Sequence, residues 1–552
     1  MTNPRWPKTA ALAVAPLVLL LAGWSRRWVC DDAFIDLRVV QQLWAGHGWV
    51  FNAGERVEAI TNPLWVALVA ATGGGLEQLW PGQGLLEWSA VLLGLTCAPA
   101  GVYLGLRATA SRLEWAAGSP PRWPVGALLF VSLPPVWDFA TSGLETGLAF
   151  LWLGASFLAL QRRWTQSAWL WSLGPLVRPD FALYAGAFAL ADLATAPKRS
   201  LRRWLITGLQ LAALPVTVQV LRMGYFAALV PNTALAKEAA MPNWPQGWHY
   251  LWDFLDAYGL WLPLPLALVA LPSVAPEALP VEGDPPITSG RSRETWRSRA
   301  PMIAALVHAL YLIRVGGDFM HARLYLPVVM ALLLPVFSVP RPLGVRATAA
   351  KALLGYCAAL WLLRPAHPPL GPHSIADERR YYISGAGHPN PVTLADHREQ
   401  YGVTAALQLR ERAKLEKGLV HVSRNIGFVG LAAGPDVHVV DVHGLADPIG
   451  GRLRLRERGR PGHEKLLTNA WIVARWPRWS GQADPAAVSA ATTALRCPGP
   501  QHDPGLWLLR SAIEDPLTPA LFWRNLTVAA KLTALRIDPD PRVAARELCP
   551  PN

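Results

Sequence analysis

Two adjacent carboxylates, Asp31 and Asp32, follow directly on an apolar segment, residues 10–24, and are the side chains best placed for chemistry. Ionisable groups at membrane depth are costly and usually mark functional sites. The plainer interpretation is a cap for a helix expected from Ala33 to Trp44, but capping uses one Asp and not two. A helix N-terminus also keeps a carboxylate ionised, as a base that removes a proton from a hydroxyl must be. The sequence therefore predicts Asp31 as the base, with Asp32 as the alternative or as a supporting residue.

The composition indicates that this apolar segment is one of many that cross a membrane. The chain of 552 residues is 52% hydrophobic and only 16% charged, against roughly 25% charged in a typical soluble domain. Tryptophan is abundant, at 27 residues, and belts of Trp are typical of membrane interfaces. The net charge of +13 falls in short loops between apolar runs, which is a topology signal and not the signature of a nucleic-acid partner. We therefore expect a polytopic α-helical membrane protein.

Clustered Lys and Arg residues belong on the cytoplasmic side, and this rule fixes the orientation of the spans. With the N-terminus inside and the C-terminus outside, a Pro/Gly/Arg-rich cytoplasmic linker is expected at 276–300. This predicted topology has eleven crossings, at residues 10–24, 86–106, 124–137, 146–160, 166–176, 181–193, 204–221, 258–275, 301–313, 324–339 and 350–363.

The chain changes character near residue 365, where apolar runs shorten and Pro, His, Asp and Arg become more frequent. We expect a transmembrane domain at 1–364 and a soluble extracytoplasmic α/β domain at 365–552. Strand-like segments at 419–423 and 437–442 and a helix-like segment at 401–415 support the α/β class. Two cysteines of this part, Cys497 and Cys549, could form a disulfide in an extracytoplasmic domain or stay unpaired. Asp441 and His443, at the end of the second strand, could line an acceptor groove or hold a turn together.

The other unusual polar residues of the membrane part share one side of this topology. They lie outside or at the outer ends of spans, which one extracytoplasmic pocket would explain and scattered solvated loops would not. The candidates for a phosphate contact are Arg178, Asn232, Lys237 and Arg323, and those for the wall of a substrate pocket are Arg38, Glu145, Asp180, Asp318 and His321.

Each of these candidates also has a plainer interpretation. Arg suits phosphate geometry, yet Arg178 could form an internal salt bridge with Asp180, and Lys237 could simply snorkel to the interface. Arg38 could pair with one of the nearby acids, Asp36, Glu55 or Glu58. Glu145 could lie at the start of a helix, where a negative charge interacts favourably with the helix dipole. Asp318 and His321 could together hold a divalent cation, but two ligands are too few to argue for one. The sequence leaves any metal requirement open.

Three motifs are more specific than these single residues. The first loop contains Asp31-Asp-Ala-Phe-Ile-Asp-Leu-Arg38 and Thr61-Asn-Pro-Leu-Trp65, and the later boxes are Pro231-Asn-Thr-Ala-Leu-Ala-Lys237 and Gly316-Gly-Asp318. They resemble the polyprenyl-phosphate-dependent membrane glycosyltransferases of the GT-C class, and within it the terminal arabinofuranosyltransferase family of bacterial cell-wall synthesis. In that family the acidic first-loop motif carries the base.

The resemblance implies an inverting glycosyltransferase in the bacterial cytoplasmic membrane. Its donor is a polyprenyl-phosphate sugar, and its acceptor is an extracytoplasmic cell-envelope glycan or lipid. The segment Ala59-Ile-Thr61 and the residue Asp36 depart from the family pattern, which leaves the sugar open. A transporter of a lipid-linked sugar is the alternative from another class, although the internal repeats typical of transporters are not evident. A non-catalytic scaffold that binds glycan is a second alternative.

Overall fold

The computed structural model describes residues 10–110, 122–196, 200–270, 288–340, 343–497 and 505–549, and these residues are mostly helical. Their α-helices, numbered α1 to α26 in chain order, are Ala10–Ser25, Asp31–Trp44, Pro63–Val69, Gly75–Leu79, Leu85–Ala110, Val125–Val131, Pro134–Phe139, Thr146–Arg162, Ser167–Trp171, Gly174–Val177, Ala182–Ala194, Leu201–Phe226, Asn232–Ala236, Trp244–Ala257, Pro263–Ala270, Thr288–Val315, Tyr325–Leu333, Val345–Leu363, Glu378–Ala386, Val403–Ala413, Gly427–Ala433, Asn469–Arg475, Pro485–Arg496, Leu506–Glu514, Pro519–Ala534 and Pro541–Leu548. A π-helical segment, Ala70–Gly74, lies between α3 and α4. Short 3-10 segments are Pro179–Phe181, Leu334–Val336, Pro372–Ser374, Leu394–His397 and Gly450–Arg452.

Four short strands form two separate pairs. Strands β1 (Arg122–Trp123) and β2 (Val339–Pro340) are antiparallel. Strands β3 (Val420–Ser423) and β4 (His438–Asp441) are parallel, with Val420 opposite His438. Helix α21 connects β3 to β4, as parallel neighbours require a crossover. Both strands fall within the segments predicted as strands, and α20 falls within the predicted helix.

Every predicted crossing overlaps at least one helix of the structure. By length and composition, three helices of the described residues could cross a membrane, Leu85–Thr109, Leu201–Phe226 and Thr295–Val315, and two shorter apolar helices are Leu12–Ser25 and Tyr325–Val336. The segment predicted at 124–137 is divided into α6 and α7, because Pro134 and Pro135 supply no backbone N–H to continue α6. The count of eleven crossings and their orientation stay predictions.

The predicted linker at 276–300 is wrong in its second half. Helix α16 begins at Thr288 and continues to Val315, whereas residues 276–287 lie outside the described part of the chain. Residues 288–300 contain no proline, and their Arg and Glu residues are good helix formers. The helix of the apolar segment therefore extends into the charged segment that precedes it.

The chain forms two compact units built from discontinuous segments. The first unit comprises residues 1–29, 90–215 and 243–383, and the second comprises residues 30–89, 216–242 and 384–552. Segments of the predicted transmembrane part thus cluster with the C-terminal residues in the second unit. The division into domains at residue 364, and the α/β class of the C-terminal one, stay predictions.

The second unit has a hydrophobic core around the helices that follow β4. Trp471 is fully buried there among Ile472, Leu509 and Ile513, and Val440 of β4 belongs to the same cluster. The core thereby anchors the end of β4, where Asp441 and His443 lie. Cys497 and Cys549 are paired in this unit, with Cα atoms 5.8 Å apart.

Candidate active site

Asp31 lies at the start of α2 but caps a different helix. Its carboxylate accepts hydrogen bonds from the backbone N–H groups of Phe428, at 2.8 Å, and Gly427, at 3.3 Å, which open α21. The N-cap residue of α2 itself is Cys30, which makes no side-chain capping bond. The plainer interpretation, in which Asp31 caps its own helix, is therefore wrong, and Asp31 instead caps a helix about 400 positions further along the chain. The first N–H groups of a helix have no partner within it, and a carboxylate also suits the positive end of the helix dipole.

Arg38 engages the opposite end of the same helix. Its fully buried guanidinium donates to the carbonyl groups of Gly430 and Gly434, at the C-terminal end of α21, and to those of Phe51 and Val437. The fifth N–H group reaches Oδ1 of Asn52 at 3.1 Å. Among the described residues no ion pair joins Arg38 to Asp36, Glu55 or Glu58, so the plainer interpretation of Arg38, a pairing with one of those acids, is wrong. Glu58 pairs instead with Arg222, at 2.6 Å.

Asp31 and Arg38 therefore form a clamp around α21, which we call the α2 clamp. Seven residues, or two turns, separate them along α2, a rise of about 10.5 Å. Helix α21 is also seven residues long, so the carboxylate of Asp31 meets its positive end and the guanidinium of Arg38 meets its negative end. Both side chains bond to backbone groups of the protein, and the predicted roles of Asp31 as a base and of Arg38 in a substrate pocket stay predictions.

Three carboxylates lie close together at this end of α2. Burial raises the pKa of Asp31 to about 7, and the negative charges of Asp32 and Asp441 add to the shift against its two backbone hydrogen bonds. Asp441 is also buried, which raises its pKa to about 6. Its carboxylate accepts the N–H groups of His443 and Ala446, both at 2.9 Å. Asp32 is half-buried and is the more accessible carboxylate of the adjacent pair.

Histidine and cationic side chains lie next to the loop that follows Asp441. The rings of His443 and His463 lie 4.9 Å apart, and Nδ1 of His443 donates to the carbonyl oxygen of Lys465 at 3.0 Å. Burial lowers the pKa of His463 to about 3, and the charges of Arg460, His443 and Lys237 add to this effect. Burial also lowers the pKa of His443. Two imidazoles thus lie beside the cationic side chains of Lys237 and Arg460, and these two cations suit an anionic ligand.

His463 and Arg460 were not identified from the sequence. The segment Gly462-His-Glu-Lys465 was the available signal, since it resembles a family segment. We call Lys237, His443, Arg460 and His463 the basic group.

Asn232 bonds to the loop after β4, and its predicted phosphate contact stays a prediction. Its amide N–H groups donate to the carbonyl oxygens of Gly444, at 2.7 Å, and Asp447, at 2.9 Å. Its Oδ1 accepts from Arg452 at 3.2 Å. The side chain thereby fixes the loop after β4, which carries His443.

In the first unit, Arg178 is held by two carboxylates. It donates to both oxygens of Asp180, at 3.0 and 2.7 Å, and to Glu145 at 3.2 Å. Asp180 also contacts Nε2 of His308 at 2.8 Å. The plainer interpretation, an internal salt bridge between Arg178 and Asp180, is therefore present, and the predicted phosphate contact of Arg178 stays a prediction.

The Gly316-Gly-Asp318 box contributes to the same unit. Arg323 approaches Glu145 at 3.4 Å and Asp318 at 3.5 Å. Asp318 also accepts the N–H group of Phe319 at 2.9 Å. His321 contacts Asp253 at 2.5 Å, so the structure does not group Asp318 with His321 as cation ligands.

Comparison with known proteins places the chain in a family. The model of the AftB family C-terminal domain matches residues 387–547. A terminal beta-(1->2)-arabinofuranosyltransferase of Mycobacterium tuberculosis is 32% identical, over 97% of this chain and 96% of its own. The enzyme of the same name from Corynebacterium glutamicum is also 32% identical, over 98% of this chain and 88% of its own.

Two solved structures show a more distant similarity. ArnT from Cupriavidus metallidurans, bound to undecaprenyl phosphate, gives a TM-score of 0.46 at 15% identity, over 78% of this chain and 85% of its own. The oligosaccharyltransferase of Archaeoglobus fulgidus gives 0.41 at 10% identity, over 81% and 65%. Both TM-scores lie below 0.5, a level at which similarity does not establish a shared fold.

The nearly full-length relatives define this protein as a membrane glycosyltransferase. It belongs to the family of terminal β-(1→2)-arabinofuranosyltransferases. The family and the enzyme class predicted from the first-loop motifs are thereby confirmed, and the relatives lend no support to the transporter alternative.

Proposed function

We propose that this enzyme transfers arabinofuranose, through a β-(1→2) linkage, from a polyprenyl-phosphate carrier to a cell-envelope glycan or lipid. The reaction takes place at the outer face of the bacterial cytoplasmic membrane. The names of the relatives support the sugar and the linkage, and the first-loop motifs support the carrier. The observation that carries the proposal is the position of the adjacent Asp31 and Asp32 in the first turn of α2, where Asp31 is bonded to α21 and Asp32 is the more accessible of the two.

The two carboxylates of the pair have different tasks in this proposal. Asp31 already accepts two backbone N–H groups and is only 7% exposed, so it positions α2 against α21. Asp32 is more accessible, and we assign it as the base, which reverses the preference drawn from the sequence. Asp32 takes the proton of the acceptor hydroxyl as the acceptor oxygen bonds to the anomeric carbon. The bond from that carbon to the phosphate oxygen breaks, and its electron pair leaves with the lipid phosphate.

The basic group would stabilise the charge that develops on the leaving phosphate. Lys237 and Arg460 bring positive charge, whereas His443 and His463 donate Nδ1–H to the backbone carbonyl oxygens of Lys465 and Pro461 and pack beside these cations. Fixed donors of this kind stabilise a transition state because they need no reorganisation when charge appears. His443 of the basic group follows Asp441 by two residues, so a member of the basic group and a buried carboxylate lie in the same loop.

The test compares sugar transfer by the purified full-length enzyme with Asp31→Asn and Asp32→Asn variants. The substrates are synthetic polyprenyl-phosphoryl arabinofuranose and an arabinan oligosaccharide. We expect Asp32→Asn to bind donor and to lose roughly 10²–10⁴-fold in turnover. Asp436→Asn is a matched control, because Asp436 lies in the same unit with a side chain 53% exposed.

The other outcomes are equally informative. If Asp31→Asn alone abolishes turnover in a stably folded protein, Asp31 is the base and our division of tasks is wrong. If both variants match the wild type, the first-loop chemistry is wrong, and Glu145 or Asp318 becomes the candidate. If carrier lipid binds and no sugar is consumed, the donor sugar is misassigned.

A further inference from the structure

Two histidines and a carboxylate meet in the first unit, and of these three residues only His321 was singled out from the sequence. Asp253 lies in α14, His321 in the loop before α17, and His367 after the end of α18. Nδ1 of His321 lies 2.5 Å from one oxygen of Asp253, and Nε2 of His367 lies 2.6 Å from the other. One nitrogen or oxygen from each side chain falls within 4.8 Å of the other two. Both rings are buried.

The second nitrogen of each ring is also held by an oxygen. Nε2 of His321 lies 3.0 Å from the hydroxyl of Tyr258, and Nδ1 of His367 lies 2.8 Å from the carbonyl oxygen of Pro368. Histidines that bind metal ions nearly always have such an outer partner, which fixes the ring orientation and the tautomer. The outer partners of a metal site are therefore in place for both rings.

We propose that Asp253, His321 and His367 bind a zinc ion, through Nδ1 of His321, Nε2 of His367 and the carboxylate. Two imidazoles and one carboxylate suit zinc, whereas calcium and magnesium prefer all-oxygen sites. Three protein ligands leave a fourth position of a tetrahedral ion for water or another ligand. A cavity lined by residues that include Tyr258, His321 and Asp377 lies beside the cluster.

The ion would join three segments that are far apart in the sequence. Met320 and Ala376 already form an isolated bridge, in which His321 donates its backbone N–H to Ala376 at 2.9 Å. The ligands add α14 to this connection, because His367 and Ala376 both lie in the segment between α18 and α19. The competing explanation is a hydrogen-bonded triad, in which Asp253 simply accepts one N–H group from each ring.

The test strips the purified full-length protein with a chelator and then adds zinc alone. We expect about one zinc ion per chain after gel filtration, measured by mass spectrometry of the metal content, and a higher melting temperature with zinc. His367→Gln and Asp253→Asn should each weaken zinc binding by at least about tenfold. The matched control is His373→Gln, because His373 stacks on His249 at 3.5 Å in an exposed pair of the same unit.

A measurement on the wild type avoids dependence on variants that fail to fold. Cobalt added to the stripped protein should give the visible absorption bands of a nitrogen-bound ion at low coordination number. Absence of stoichiometric metal and of these bands overturns the proposal in favour of the hydrogen-bonded triad. Zinc that stays in both ligand variants, or is lost in His373→Gln, likewise overturns it in favour of binding at the exposed pair. Sugar transfer is not part of the readout, so the outcome is independent of the proposed function.

Discussion

The α2 clamp predicts that the substitution Arg38→Lys lowers the stability of the folded protein, although it keeps the positive charge. The guanidinium donates all five of its N–H groups, four to carbonyl oxygens and one to an amide oxygen. An ammonium group has three protons. At least two acceptors in a fully buried environment therefore lose their partner in Arg38→Lys.

The magnitude follows from those two bonds. A hydrogen bond from a charged group contributes about 1.5–3 kcal/mol, so the loss is about 3 kcal/mol or more. The second unit has about 250 residues, for which 1 kcal/mol shifts the melting temperature by about 2–4 °C. We expect Arg38→Lys to lower the melting temperature of this unit by roughly 6–12 °C. The Michaelis constant for the lipid donor should stay unchanged in the protein that remains folded.

The assay combines thermal unfolding with hydrogen exchange of the backbone amides. Exchange should become faster in α21, because the carbonyl groups at its C-terminal end are the ones that Arg38 bonds. Arg454→Lys is the control, since the side chain of Arg454 is 47% exposed in an ion pair with Glu547. A variant with wild-type stability and exchange, but with a raised Michaelis constant, would refute the clamp and restore the role in the substrate pocket.

Two further predictions concern buried charges of the second unit. Lys465→Met should cost about 3–5 kcal/mol, seen as a lower melting temperature that Glu238→Gln partly restores. The reason is that the ammonium group contacts Glu238 at 2.7 Å and two carbonyl oxygens in a fully buried position; no recovery in the double variant would contradict it. For Asp31, burial raises the pKa to about 7 from an ordinary value near 3.8, so the folded state holds the proton more tightly, and the stability from this group falls as pH rises from about 4 to 7. Asp31→Asn should lose this dependence, and melting curves of variant and wild type that shift in parallel from pH 5 to pH 8 would contradict it.

Local patterns were sufficient to predict the elements that carry the site. A helix expected at 33–44 is observed as Asp31–Trp44, and strands expected at 419–423 and 437–442 are observed as β3 and β4. Amphipathic spacing and runs of β-branched residues are properties of neighbouring residues, so a single sequence contains them. The first-loop motif is equally local, and it was enough to identify the family.

Long-range pairing explains what the sequence could not predict. Asp318 was considered with His321 because the two are neighbours in the chain, yet the partner of His321 is Asp253, which lies 68 positions away. Asp253 in turn contacts His367 across 114 positions. The plainer interpretation of Arg38 was a pairing with acids of its own loop, but its carbonyl partners lie up to 399 positions away. Each of these contacts depends on how the segments pack and leaves no periodic signal in the sequence.

The geometry of α2 gives a reason why two adjacent carboxylates cannot share one task. Successive residues of an α-helix are about 100° apart around its axis, whereas residues seven apart return to nearly the same direction. Asp31 and Arg38 therefore share the face that meets α21, and Asp32 is turned away from it. Asp36, one turn after Asp32, lies on that second face, where its carboxylate accepts the amide N–H of Asn62 at 2.8 Å. A single carboxylate would have to choose between holding α21 and meeting the acceptor, so the pair allows both.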